Sequence, residues 1–189
     1  MALKGKNAET GAEVLVCDDR ETAKEWHRAG VLVCPLCDAP VVPVREYGRA
    51  NGGWVQAYLR HKSICTTTYQ AHPESREHFA AKEWIRRNAP ARYGYDVVSA
   101  DLEVRMPEIN RVADVCFTLA DGERVIHEAQ LAAISVDDLE ARTNDYHSLG
   151  YAVVWHFGKS AYTEGNCRWA YHKLHNCEVL TFDVAAEAA

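Results

Sequence analysis

The stretch RVADVCFTLADGERVIHEAQL, residues 111–131, constrains this chain more than any other. Its two arms are strand-like, and the ADG between them puts glycine where a hairpin loop needs a left-handed residue. With Ala120, Asp121 and Gly122 as a three-residue loop, Leu119 pairs with Glu123, Asp114 falls opposite Glu128, and Val112 opposite Gln130. Directly opposed residues share a face, with Cβ atoms about 4.5–5.5 Å apart. The other face then carries Ala113, Val115, Phe117, Leu119, Val125, Ala129 and Leu131, all apolar. A two-residue loop would instead turn Glu128 toward that apolar face, where a carboxylate is costly. The pattern therefore selects the register that brings Asp114 and Glu128 together. Two carboxylates this close repel, and a bound divalent cation is the simplest compensation.

The segment before the hairpin adds to this constellation. PESREHFAAKEWIRRN, residues 73–88, reads as a helix with acids early and arginines late, as the macrodipole prefers. Its wheel puts Glu74, His78, Ala81 and Ile85 on one stripe, so Glu74 is a candidate third carboxylate for the same cation. After the hairpin, SVDDLEARTNDYHSLG opens with a Ser-x-x-Asp cap and ends at Gly150, and YAVVWHF reads as a buried strand. Helices alternating with strands over this half imply an α/β domain from about residue 71 to 189.

The first 70 residues have a different character. EVLVC reads as a strand, RETAKEWHRAG as a helix closed by Gly30, and REYGRANGG as a hairpin or loop. CPLC places Cys34 and Cys37 two residues apart, and HKSIC supplies His61 and Cys65. Two such close pairs are the usual makings of a tetrahedral structural zinc site, with His72 as an alternative to Cys65. Zinc would also support a piece too small for a large core. Seven cysteines and no apolar leader in MALKGKNAETGAEV point to a reducing, cytoplasmic setting, and no apolar run is long enough to span a membrane.

Net charge is −6, yet Arg45 to Arg92 holds nine Lys/Arg against four Glu, while the remainder holds 12 basic against 23 acidic residues. A basic middle in an acidic chain suits a phosphate-bearing partner, because counterion release depends on the local patch.

Read together, AEVLVCDDRETA, CPLC, YLRH, ESREHFAAKEWI, RVADV, EAQ and ARTNDYHSLGYAVVWHF occur in the order that makes the chain resemble the competence protein CoiA-like family, over about residues 13 to 157. The resemblance implies a PD-(D/E)xK nuclease-like mixed sheet flanked by helices, preceded by a small Cys/His zinc-binding module. It implies metal-assisted hydrolysis of phosphodiester bonds, most naturally in DNA, with Asp114, Glu128 and the Ala129 carbonyl holding Mg²⁺ or Mn²⁺ and Glu74 as a further acid. Gln130 would position water or a phosphate oxygen. Arg60, Lys62, Lys82, Arg86 and Arg87 would meet the nucleic acid. Protein partners in recombination or defence belong to the same expectation.

Two departures stand out. Ala113 replaces the proline of Pro-Asp, and Gln130 stands where the wider group has lysine. Glutamine brings no charge, so Lys82 is the candidate to supply it from the helix. The competing reading is an inactive, zinc-containing nucleic-acid-binding module. The Arg and Tyr of ARTNDY belong to the resemblance without a catalytic logic that the sequence reveals.

Overall fold

The computed structural model describes residues 3–35, 37–50, 54–62 and 75–174. Cys65, His72 and Glu74 lie outside these, as does the division expected near residue 70. Contacts separate the chain into residues 1–79 and 80–189.

The first unit contains β1 (Lys4–Asn7), β2 (Glu13–Leu15), α1 (Arg20–Arg28), β3 (Leu32–Val33), β4 (Val41–Val44), β5 (Tyr47–Gly48), β6 (Trp54–Val55) and β7 (Tyr58–His61). β1 is the centre of a three-stranded antiparallel sheet, order β2-β1-β3, although LKGKN shows no strand pattern in the sequence. Gly5 lies close under two core leucines: a Cβ there would come 2.7 Å from a Leu32 methyl and 2.8 Å from a Leu59 methyl, and both would have to shift. The α1 helix starts at Asp19, whose Oδ1 accepts the Thr22 N–H at 3.0 Å, and Gly30 follows it at φ +76°. Val14, Val16, Ala23, Leu32, Val41 and Leu59 form the core here. β4 pairs with β7 and β5 with β6, so WVQAYLRH holds two strands.

The second unit follows α2 (Arg76–Tyr93) with β8 (Val97–Met106), a 3₁₀ turn, β9 (Arg111–Leu119), β10 (Arg124–Gln130), α3 (Val136–Ser148), β11 (Ala152–Phe157) and α4 (Glu164–Leu174). The four strands form one mixed sheet, order β11-β10-β9-β8, with β10 and β11 parallel and the other pairs antiparallel. A parallel pair needs a crossover, and α3 supplies it. VVSADLEVRM is a single ten-residue strand. α2 runs past Asn88 and through Pro90 to Tyr93, further than the sequence pattern reaches. Ala89 is buried there, and the Tyr93 ring stacks on Tyr95 and meets His127 edge-on.

The hairpin register is the one that the three-residue loop demands. Thr118 faces Arg124, Phe117 faces Val125, Cys116 faces Ile126, and Val115 faces His127. Gly122 has φ +87°, and the Leu119 N–H donates to the Glu123 carbonyl at 2.9 Å. The Glu128 side of the sheet is covered as well. α3 packs on it, and Cys116, Ile126, Leu139, Tyr146, Trp155 and Phe157 share one core. No helix among the described residues is long and apolar enough to cross a membrane.

Candidate active site

The β9–β10 ladder ends at Val115 and His127, and side chains take over its hydrogen bonds beyond that point. Asp114 Oδ2 accepts the Ala129 N–H at 2.9 Å, while the Asp114 N–H donates to Glu128 Oε1 at 3.4 Å. The two carboxylates therefore meet where the strands part, as the register requires.

Glu128 is only 1% exposed. Its burial is sustained from α3: the Arg142 guanidinium pairs with Oε2, and the Tyr146 hydroxyl donates to Oε1 at 2.8 Å. These are the Arg and Tyr of ARTNDY, four residues apart and hence on one helix face. The sequence offered periodicity for them but no target, because their partner lies on another element. Arg142 is itself held over the Trp155 ring at 5.1 Å, and its Nη1 donates to Gln130 Oε1 at 3.2 Å. Burial, with Asp114 adding to it, outweighs Arg142 and the Tyr146 hydrogen bond and pushes the Glu128 carboxyl up to about 7. Burial beside Glu128 also pushes the Tyr146 hydroxyl well above its ordinary range, so it remains a donor.

Lys82 stands behind Asp114. It is 1% exposed, pairs with Glu103, and lies 3.9 Å from Asp114 Oδ1. Its ammonium thus serves the carboxylates and is not on an exposed face, so the expectation that Lys82 meets the nucleic acid does not hold. Arg86 and Arg87 both pair with Glu83, at 2.8 and 3.1 Å, with Arg87 the more exposed. Arg60 and Lys62 are exposed in the first unit.

Gln130 ends β10. Its Nε2 donates to the Ala132 carbonyl at 2.8 Å. Beside it, a hollow of about 470 Å³ is lined by Arg111, Gln130, Ile134, Ser135 and Arg142, among others. On the other face of the sheet His127 lies buried against Phe117. Its Nδ1 is 2.8 Å from His156 Nε2, and its Nε2 is 3.2 Å from the Tyr95 hydroxyl. Burial and the neighbouring His156 push it down to about 2, so it is a neutral core group and no part of the carboxylate cluster.

The donor set suits a hard divalent cation. Asp114 and Glu128 supply carboxylate oxygens, the donors such an ion takes, and among the described residues no third Asp or Glu brings its oxygen within 4.8 Å of both. In the first unit, Cys34, Cys37 and His61 place their ligand atoms within 4.8 Å of one another, with Cys37 Sγ 3.4 Å from His61 Nε2. Burial lowers the His61 pKa and so favours the neutral imidazole that a metal requires.

A mixed sheet that joins Asp and Glu-x-Gln at parting strand ends, with helix-borne cations around them, defines an acid-centred α/β domain of the nuclease-like class. Residues 74–183 match the family described as competence protein CoiA, nuclease-like domain, and the chain belongs to that family. No curated protein matches it in sequence. Among solved structures, it is similar to a repair endonuclease from Pyrococcus abyssi, at 14% identity and a TM-score of 0.39 over 60% of this chain and 50% of that one. It is also similar to EndoMS in a complex described as EndoMS-dsDNA2, at 15% identity and a TM-score of 0.36 over 75% of this chain and 65% of that one. The chain thus spans half the length of the first and just under two thirds of the second.

Proposed function

We propose that this chain is a metal-dependent nuclease that hydrolyses phosphodiester bonds, with DNA as its substrate. The observation that carries the reading is the meeting of Asp114 and Glu128 at the parting of β9 and β10, with Lys82 buried behind Asp114. Asp114, Glu128 and the Ala129 carbonyl would hold Mg²⁺ or Mn²⁺, and Glu74 would add a further acid. The ion supplies Lewis acidity toward the phosphate and an acidified water. Lys82 brings the positive charge that Gln130 lacks. Gln130, held by Arg142 and Ala132, keeps one amide hydrogen to orient water or a phosphate oxygen. Arg60, Lys62, Arg86 and Arg87 would contact the nucleic-acid backbone, giving salt-dependent and weakly sequence-specific binding.

The competing reading, a binding module without catalysis, draws on Gln130: both ends of its amide are engaged within the protein. One experiment separates the two. Purified protein is incubated with labelled single- and double-stranded DNA in Mg²⁺, in Mn²⁺ or with chelator, beside Glu128→Ala. Metal-dependent cutting that the variant lacks is the expected result; DNA binding without cutting under either metal supports the module instead.

We further propose that Cys34, Cys37 and His61 hold a structural zinc ion, with Cys65 as fourth ligand. The protein should contain about one zinc per chain, as such tetrads do. Cys37→Ser should lose it and lower the melting temperature of the first unit, because metal affinity adds directly to folding free energy. Elemental analysis and a thermal melt decide this, and a variant that retains its zinc refutes the assignment.

A further inference from the structure

The hollow of about 470 Å³ beside Gln130 shares a wall with the carboxylate site. Arg142 lines it, and the same guanidinium holds Gln130 through Nη1 at 3.2 Å and Glu128 through Nη2. Gln130 and Glu128 stand two apart on β10, so they lie on one face about 7 Å apart. A strand whose phosphate meets the carboxylates can therefore set its next nucleotide in the hollow.

The hollow is cationic at one end and acidic at the other. Arg111 is fixed by Asp145 Oδ2, which accepts its Nε–H at 2.9 Å and takes its Nη2 at 2.7 Å. That leaves the Arg111 Nη1 with no partner among the described residues. Asp138 precedes Asp145 by seven residues on α3, or about 10 Å along the helix axis. Its Oδ2 takes the Ser135 hydroxyl at 2.6 Å, and its Oδ1 accepts nothing among the described residues. Ile134 and Ala141 add apolar surface to the lining, and the volume is at the low end for small-molecule sites. A phosphate is drawn to Arg111 and repelled by Asp138. A carboxylate takes a donor, and within a DNA strand the N–H donors are on the base edges. Turning a base into such a hollow means unstacking it, which costs least where the base is unpaired. We infer that the hollow is a subsite for one unpaired nucleotide flanking the cleaved bond, with its phosphate on Arg111 and its base edge on Asp138. This deepens the nuclease reading and rests on it: the substrate selected is single-stranded, or unpaired at the cut.

The test begins with binding, in buffer without Mg²⁺ or Mn²⁺, so that it does not depend on cleavage. The zinc-loaded protein is titrated with the 5′-phosphorylated trinucleotide of deoxycytidine while nuclear magnetic resonance follows the Ile134 and Ala141 amides. Both amides should shift. An abasic trinucleotide and inorganic phosphate should bind about tenfold more weakly, and a blunt hairpin duplex should leave the two amides unmoved. Arg111→Gln should weaken trinucleotide binding on the order of tenfold, the worth of a charge-assisted hydrogen bond. Asp138→Ala should erase the preference over the abasic probe. Ala141→Trp fills the hollow from an exposed helix position and should abolish the shifts, with a melt on the same sample showing the fold intact. Unmoved amides, an abasic probe that binds equally well, or unchanged binding in Ala141→Trp would each overturn the inference. Cleavage with Mg²⁺ or Mn²⁺ then keeps the two readings apart. Trinucleotide binding in a protein that cuts no DNA sinks the nuclease reading and leaves the nucleotide site. Equal cutting of single strands and duplexes, with Ala141→Trp as active as wild type, keeps the nuclease and sinks the subsite.

Discussion

Asp114→Asn should reduce metal-dependent cleavage by about 10³-fold or more, since a lost metal ligand removes several kcal/mol of transition-state stabilisation. The substitution is nearly isosteric, and the amide oxygen can still accept the Ala129 N–H that Asp114 Oδ2 takes at 2.9 Å. The hairpin should therefore stay closed, and thermal stability should change little. Lys82 also retains Glu103 as its counter-ion. Cleavage of labelled DNA and a thermal melt on the same preparation test both halves. An active Asp114→Asn variant would remove the site from this position of the sheet.

Arg142→Met should cost about 3 kcal/mol of stability near pH 8, where removal of one partner leaves a buried carboxylate uncompensated. The size of the effect depends on pH, and its sign follows from Glu128. Folding raises the Glu128 pKa from its ordinary value of 4.5 to about 7. Such a group stabilises the fold below 4.5, where it is protonated in both states, and that contribution is lost as pH rises through 7. Loss of Arg142 raises the pKa further, so the penalty grows through and above pH 7 and shrinks toward pH 4.5, where the packing over Trp155 and the bond to Gln130 are what is missing. Denaturant melts at pH 5 and pH 8 measure the difference. Glu128→Gln in the same chain should recover much of the loss at pH 8 by removing the unpaired charge. Equal penalties at both pH values would show that Arg142 matters through packing alone.

The pairing of Asp114 with Glu128 was legible because it depends on local facts: where Gly122 falls, and how apolar residues alternate in the two arms. The ends of α1 and α3 were legible for the same reason, since Asp19 and Ser135 cap the N–H groups within their own first turns. The Cys34, Cys37 and His61 cluster came from residue type and spacing, and the fold brings the three together.

What surrounds the carboxylates was decided elsewhere. Arg142 and Tyr146 find Glu128 only after α3 crosses from β10 to β11, and Lys82 meets Glu103 across 21 positions of sequence. Neither contact leaves a periodic trace. The same holds for β1, a polar segment made into a central strand by its neighbours, and for α2 continuing through Pro90. Local sequence determined the elements and the register that joins Asp114 to Glu128. Tertiary packing decided how deeply the carboxylates are buried and which cations they meet, because desolvation and Coulomb energy depend on every atom nearby, whatever its distance along the chain.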